Sequence, residues 1–157
     1  GEKLTIAAYL PTAAEPPITD ALQQLHQDGH RILVPVVRPG RQLAWVQWDP
    51  HVQHPLNGMG IAEPEGDAKG PHAFTAADLR LVPALAYGRN GRRLGQGGGY
   101  YDRLLPRLSE QALRETTVGV VFADEVLDSI PYDTWDGVLY RVLTENGVHP
   151  LGEHATH

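Results

Sequence analysis

Four glycines in five positions, Gly95 and Gly97 to Gly99, strip the side chains from a short bend within the run Arg93-Leu94-Gly95-Gln96-Gly97-Gly98-Gly99-Tyr100-Tyr101-Asp102-Arg103. Glycine reaches positive φ without steric penalty, so successive N–H groups in such a bend can turn toward one anion. Alone, the cluster equally describes a flexible turn. Its neighbours favour the anion. Upstream, Leu79 to Tyr87 (LRLVPALAY) reads as a buried strand; downstream, Tyr101, Leu104, Leu105 and Leu108 share one face of a helix beginning at Tyr100. Strand, glycine bend and helix in that order form a phosphate cradle, to which the first helical turn adds unpaired donors and its positive dipole end. Arg92 and Arg93 would flank it as charged clamps. Two common cradles are excluded. No Gly-Lys-Ser/Thr follows, as a Walker loop requires, and a GxGxxG dinucleotide pattern fails because its sixth position is Tyr100.

The rest of the chain alternates strand and helix without an internal repeat. Leu4 to Leu10 reads as a short strand; after Pro16-Pro17, Ile18, Leu22 and Leu25 form a helical stripe that ends near Gly29. Arg31 to Val37 and Gln42 to Trp48 read as strands joined by the turn Arg38-Pro39-Gly40-Arg41, with Leu43, Trp45 and Gln47 on one side of the second and Ala44, Val46 and Trp48 on the other. Asp49 to Ala77, rich in Gly, Pro, His and Asp, reads as one long loop and a candidate substrate wall. Thr117 to Phe122 and Val138 to Leu143 supply the last strands. The pattern predicts an α/β fold: a mostly parallel sheet with helices on both faces, hence three layers. Ligands of such sheets gather beyond the carboxyl ends of the strands, which points to Leu10, the glycine bend and the Asp136 region.

Composition narrows the partners. The 157 residues include 41% hydrophobic and 20% charged side chains, within the range of a folded single domain. No cysteine is present, so a thiol nucleophile, a disulfide and a zinc–thiolate site are excluded. A net charge of −6 argues against nucleic acid, yet Arg89, Arg92, Arg93, Arg103 and Arg107 crowd around the glycine bend. Arg107 and Arg103 read as a solvated helix face and the loop arginines as anion contacts. No apolar run reaches the ~20 residues of a membrane helix, and the expected location is cytoplasmic. His51 with His54, and His154 with His157, lack a third ligand at a recognised spacing and read as exposed loop or tail. Neither Ser109 nor Ser129 lies in a GxSxG elbow.

At this level of detail the chain resembles the 5-formyltetrahydrofolate cyclo-ligases, also called methenyltetrahydrofolate synthetases, whose hallmark is an RLGxGxGYYDR segment. Arg93 to Arg103 carries that hallmark, Tyr9-Leu10 with Glu15 matches the family's early strand and substrate glutamate, Gly60-Ile61-Ala62-Glu63-Pro64 its central loop, and Ile130-Pro131 through Trp135-Asp136 to Thr144 its closing segment. The resemblance runs from about Leu4 to Glu145. It implies a sugar-phosphate isomerase/CoA-transferase-like α/β/α domain. It further implies ATP-dependent closure of 5-formyltetrahydrofolate to 5,10-methenyltetrahydrofolate, with ADP and phosphate released.

The chemistry explains the nucleotide. The formyl oxygen of an amide is a very poor leaving group; phosphorylating it lets N10 attack the carbon and phosphate depart. Phosphoryl transfer rests on positioning and charge neutralisation, which suits N–H donors, arginines and Mg²⁺. By resemblance, ATP contacts fall on Arg93, Leu94, Gly95, Gln96, Gly97, Gly98, Gly99, Tyr100 and Tyr101, and folate contacts on Leu10, Glu15 and Gln96 to Tyr100. Arg93, Tyr100 and Asp102 would be catalytic, with Asp102 and Asp136 holding Mg²⁺. Asp102 also reads as a favourable acid in a first helical turn, worth ~0.3 to 1 kcal/mol, and Glu15 equally as a helix N-terminal acid. Trp135 stands where the family has His, Gln96 where Arg is frequent and Met59 where an aromatic is common; Asp133 competes with Asp136 for metal. Pro106 should shorten the helix after the bend. The family's basic N-terminal helical segment has no counterpart before Leu4, so residues 1–157 read as a single cyclo-ligase-like domain lacking it. The alternative function is a non-catalytic folate- or nucleotide-binding homologue. Oligomeric state is not legible.

Overall fold

The apolar run near the amino terminus forms β1 (Thr5–Ala7), shorter than expected, and the Ile18–Leu22 stripe forms α1 (Thr19–Gln27). The computed structural model describes residues 2–40, 42–51, 68–95, 99–130 and 138–152. They fall in two units, Gly1–Arg80 and Leu81–His157. In the first, β1 pairs in parallel with β2 (Arg31–Arg38), which pairs antiparallel with β3 (Gln42–Gln47) from Leu33↔Gln47 to Arg38↔Gln42. The first residues of β4 (Leu79–Pro83) join in parallel on the other side of β1, so the local order is β4-β1-β2-β3. Helix α1 seats Leu22 out of water, a contribution of roughly 1.5 to 3 kcal/mol.

Both sides of β3 are buried, which the alternating sequence did not require: Leu43, Ala44, Trp45 and Val46 are all shielded, and Trp48 beyond the strand is buried too. The cause is a short helix in the segment read as loop. α2 (Pro71–Thr75) begins with proline at its first turn and stacks Phe74 on Trp45, ring centroids 5.3 Å apart. Backbone bonds between Trp45 and Lys69, 2.7 and 2.8 Å, anchor it. Its terminal carbonyls are capped by Arg80, buried on β4, whose Nε donates to the Phe74 carbonyl at 2.8 Å and whose Nη2 donates to those of Thr75 and Ala77 at 2.7 and 2.8 Å. Residues 52–67 of the same segment lie outside the described set.

In the second unit, β7 (Thr117–Val120) and β9 (Arg141–Thr144) pair in parallel, and β10 (Gly147–Pro150) adds antiparallel to β9. The expected strand Leu79 to Tyr87 is two strands in different sheets. β4 stops at Pro83, Leu85 is exposed, and β5 (Ala86–Gly88) starts a three-stranded sheet with β6 (Arg93–Leu94), antiparallel, and β8 (Val126–Leu127), parallel. Proline donates no N–H to a ladder, which favours ending β4 there.

The helix after the bend is also shorter than its apolar face. α3 (Tyr100–Leu104) passes at once into a 3-10 turn, Leu105–Arg107, with Pro106 in its first positions, as the proline predicted. Helix α4 (Glu110–Glu115) went unread because none of its residues is buried, although Ser109 caps it by accepting a bond from the Ala112 N–H at 3.1 Å. The fold class is therefore α/β with mainly parallel pairing. Among the described residues, no helix is long and apolar enough to cross a membrane.

Candidate active site around the glycine bend

The β5–β6 hairpin sets the bend's upstream end, pairing Tyr87 with Arg93 and Ala86 with Leu94. Arg93 and Leu94 are thus sheet residues. The charged clamp expected at the bend's mouth is turned inward: Arg93 is buried, its Nε and Nη2 donate to the Pro83 carbonyl at 3.0 and 2.7 Å, and its guanidinium lies 5.0 Å from the centre of the Tyr101 ring. The end of β4 leaves that carbonyl pointing at a planar fork of donors, and two of the five N–H groups close on its one oxygen.

Tyr87 is fully buried beneath it and donates its O–H to the Val82 carbonyl at 2.9 Å. Burial pushes its phenol well above the ordinary value, against an opposing pull from Arg93, while the negative charge of Asp102 adds to the rise. Gly95 closes over the same guanidinium: a Cβ there would stand 2.6 Å from Arg93 Nη1. Gly99 caps α3 in the left-handed region, at φ 74°.

Asp102 lies in the first turn of α3, its Oδ1 3.6 Å from Arg93 Nη1. That distance is an ion pair, not a hydrogen bond. Oδ1 is buried and accepts no hydrogen bond among the described residues. A desolvated carboxylate oxygen with lone pairs to spare suits a hard cation, and Mg²⁺ needs only one or two protein carboxylates beside substrate phosphates. The side chain therefore fits the metal role, and it is a first-turn acid as well. Among the described residues no group of three or more His, Asp or Glu gathers, around Asp102 or anywhere else. Tyr101 is buried and Tyr100 half-buried. Because α3 has only five residues, its dipole adds little of the anion affinity expected from a longer helix.

Leu10 and Glu15 belong to the first unit. Leu10, half-buried, follows the carboxyl end of β1. Glu15 resolves one ambiguity: α1 begins four residues later, with Asp20 in its first turn, so Glu15 is not a helix N-terminal acid. It closes its own turn instead, its Oε1 accepting from the Thr12 N–H at 2.9 Å and its N–H donating to the Thr12 carbonyl at 3.1 Å.

Gln96, Gly97, Gly98 and Asp136 lie outside the described residues, as do Met59, Glu63, Asp133, Trp135, His54, His154 and His157. Of the loop arginines, Arg89 pairs with Asp128 at 2.7 Å. Sequence reasoning missed Tyr87 and the Pro83 carbonyl as parts of this network. A tyrosine in an apolar strand carries no signal for such a role, and a backbone carbonyl none at all.

Comparison with known proteins gives one consistent result. The profile of the 5-formyltetrahydrofolate cyclo-ligase family matches residues 2–145. The chain is 36% identical over 145 residues to a 5-formyltetrahydrofolate cyclo-ligase of Mycolicibacterium smegmatis, covering 89% of this chain and 73% of that protein. It is 29% identical over 146 residues to the one of Escherichia coli K12, covering 92% and 79%. The solution structure of Aquifex aeolicus 5,10-methenyltetrahydrofolate synthetase superposes with a TM-score of 0.72 at 30% identity, over 95% of this chain and 72% of that one.

Proposed function

The chain belongs to the 5-formyltetrahydrofolate cyclo-ligase family, and from that premise we propose that it closes 5-formyltetrahydrofolate to 5,10-methenyltetrahydrofolate at the expense of ATP. ATP phosphorylates the formyl oxygen, N10 attacks the activated carbon, and phosphate departs; ADP is the second product. The observation that carries the reading is the order of the motifs across residues 2–145, with the glycine bend leading directly into Asp102.

In this reading, backbone N–H groups from Leu94 to Tyr101 cradle the triphosphate and Tyr100 borders both substrates. Asp102 would hold Mg²⁺, with Asp136 as second carboxylate. When bound, the metal neutralises charge on the transferring phosphoryl group. Leu10 and Glu15 serve the folate, Glu15 by accepting hydrogen bonds from the donor edge of the pterin. The reading extends to a cytoplasmic enzyme.

The test is direct. Adding 5-formyltetrahydrofolate and Mg-ATP to the protein is expected to produce the absorbance of the methenyl product with one ADP per turnover and none without nucleotide. Binding of both ligands with no turnover would instead mark a non-catalytic homologue.

Glu15→Ala gives a second measurement. A charged acceptor typically contributes about 1.5 to 3 kcal/mol to a buried hydrogen bond, so KM for the folate should rise at least ~10-fold. The affinity for Mg-ATP in calorimetry should stay unchanged. An unaltered folate KM would remove Glu15 from the site.

A further inference from the structure

We propose that Arg93 serves the reaction as a positioning residue: its guanidinium ties the carboxyl end of β4, the first glycine of the bend and the first turn of α3 into one rigid unit, and it does not grip the nucleotide's phosphates. The inference rests on the cyclo-ligase reading above and assigns a different task to a residue that sequence alone makes a phosphate clamp.

The argument begins with where the donors point. Nε and Nη2 both close on the Pro83 carbonyl, at 3.0 and 2.7 Å. The face of the guanidinium is covered by the Tyr101 ring, 5.0 Å away. Nη1 faces Asp102 Oδ1 at 3.6 Å and lies 2.6 Å from where a Cβ on Gly95 would stand. With its side chain only 7% exposed and its fork closed on Pro83, Arg93 would have to swing off that carbonyl to grip a phosphate with two donors. Removing a charged donor from a partly buried carbonyl costs that oxygen its partners, which opposes such a swing.

The residue types agree. A guanidinium offers a planar fork that can chelate one oxygen while its remaining N–H groups face another; an ammonium is a point charge on a flexible stem and cannot bridge three segments this way. Glycine at position 95 is explained by the same contact, since a Cβ would lie 2.6 Å from Nη1. Two residues of the hallmark run thus account for each other, through a contact internal to the protein. What Arg93 delivers to the substrate is indirect: Asp102 held where its Oδ1 stays off solvent and free of hydrogen bonds among the described residues, and a bend whose first residue cannot drift.

Three variants test this: Arg93→Lys, which keeps the charge, Arg93→Gln, which removes it, and Gly95→Ala, which leaves Arg93 intact but puts a methyl group where Nη1 lies. Each is measured for hydrogen exchange across α3 without ligands, for the dissociation constant of Mg-ATP, and for kcat. The expected result is the same for all three. Protection across α3 falls at least ten-fold while that of α1 is unchanged, kcat falls at least ten-fold, and Mg-ATP binding changes by the same factor in Arg93→Lys and Gly95→Ala as in Arg93→Gln, because all three loosen the bend and Asp102 alike. A phosphate clamp behaves differently and would overturn the proposal: Arg93→Gln would weaken Mg-ATP binding ten-fold or more, Arg93→Lys would retain it, and α3 exchange would not move. Should Arg93→Gln fail to fold, Gly95→Ala carries the test, and unchanged α3 exchange and kcat in that variant overturn the proposal. A wild-type protein that makes no methenyl product defeats the proposed function, whereas the ligand-free exchange measurement still decides the role of Arg93.

Discussion

Gly119→Val is expected to lower the stability of the folded protein by about 3 kcal/mol or more, a large part of the roughly 5 to 15 kcal/mol that holds a typical domain together. Gly119 lies on β7 opposite Val142 of β9, and a Cβ there would stand 2.4 Å from Cζ and 2.5 Å from Cε2 of Tyr87. The ring cannot retreat. It is fully buried, and its O–H is bound to the Val82 carbonyl at 2.9 Å. Packed interiors transmit such an overlap to the neighbouring strands, and Tyr87 is directly opposite Arg93 in the β5–β6 pair. Urea unfolding should show a lower midpoint with an unchanged slope. Shortening the partner should relieve the clash: Gly119→Ala combined with Tyr87→Leu should be more stable than the sum of the two single losses by at least ~1 kcal/mol. Additive losses would show that the Tyr87 ring is not the obstacle.

Asp102→Asn carries the largest expected effect on activity. Under the proposed function the substitution keeps the shape of the side chain and removes the charge that holds Mg²⁺ against the transferring phosphoryl group, so kcat should fall on the order of 10² or more. The fold should suffer little, because the Oδ1 to Arg93 contact of 3.6 Å is not a hydrogen bond and Arg93 keeps its bonds to Pro83. Raising Mg²⁺ should recover part of the rate. The competing role is local: a first-turn acid contributes only ~0.3 to 1 kcal/mol to its helix. Activity within three-fold of wild type, with a slightly lower melting point, would assign Asp102 to that lesser role and remove it from the metal site.

The legibility of the fold follows from what each element is made of. α1 and β2 were readable because their apolar spacing and their boundaries, Pro16-Pro17 and Gly29, coincide with what folds. α2 was hidden in a segment rich in loop-forming residues; its formation depends on Phe74 finding Trp45, a partner far away in sequence. α4 buries none of its residues and so has no periodic stripe to read, though Ser109 offered a cap. The split of Leu79 to Tyr87 at Pro83 was foreshadowed by the proline, but the move of β5 into another sheet was not, because continuous apolar character is common to strands of any sheet.

The amino-acid order by itself determined the family and the α/β class, because motif order and hydrophobic spacing are properties of the sequence. Only the tertiary structure decided which way Arg93 faces. An arginine beside a glycine run is chemically equal to a clamp for phosphate and to a fork for a backbone carbonyl. What chose between them is the carbonyl of Pro83, ten residues upstream, and the Tyr101 ring that covers the guanidinium, and both are brought to it by folding.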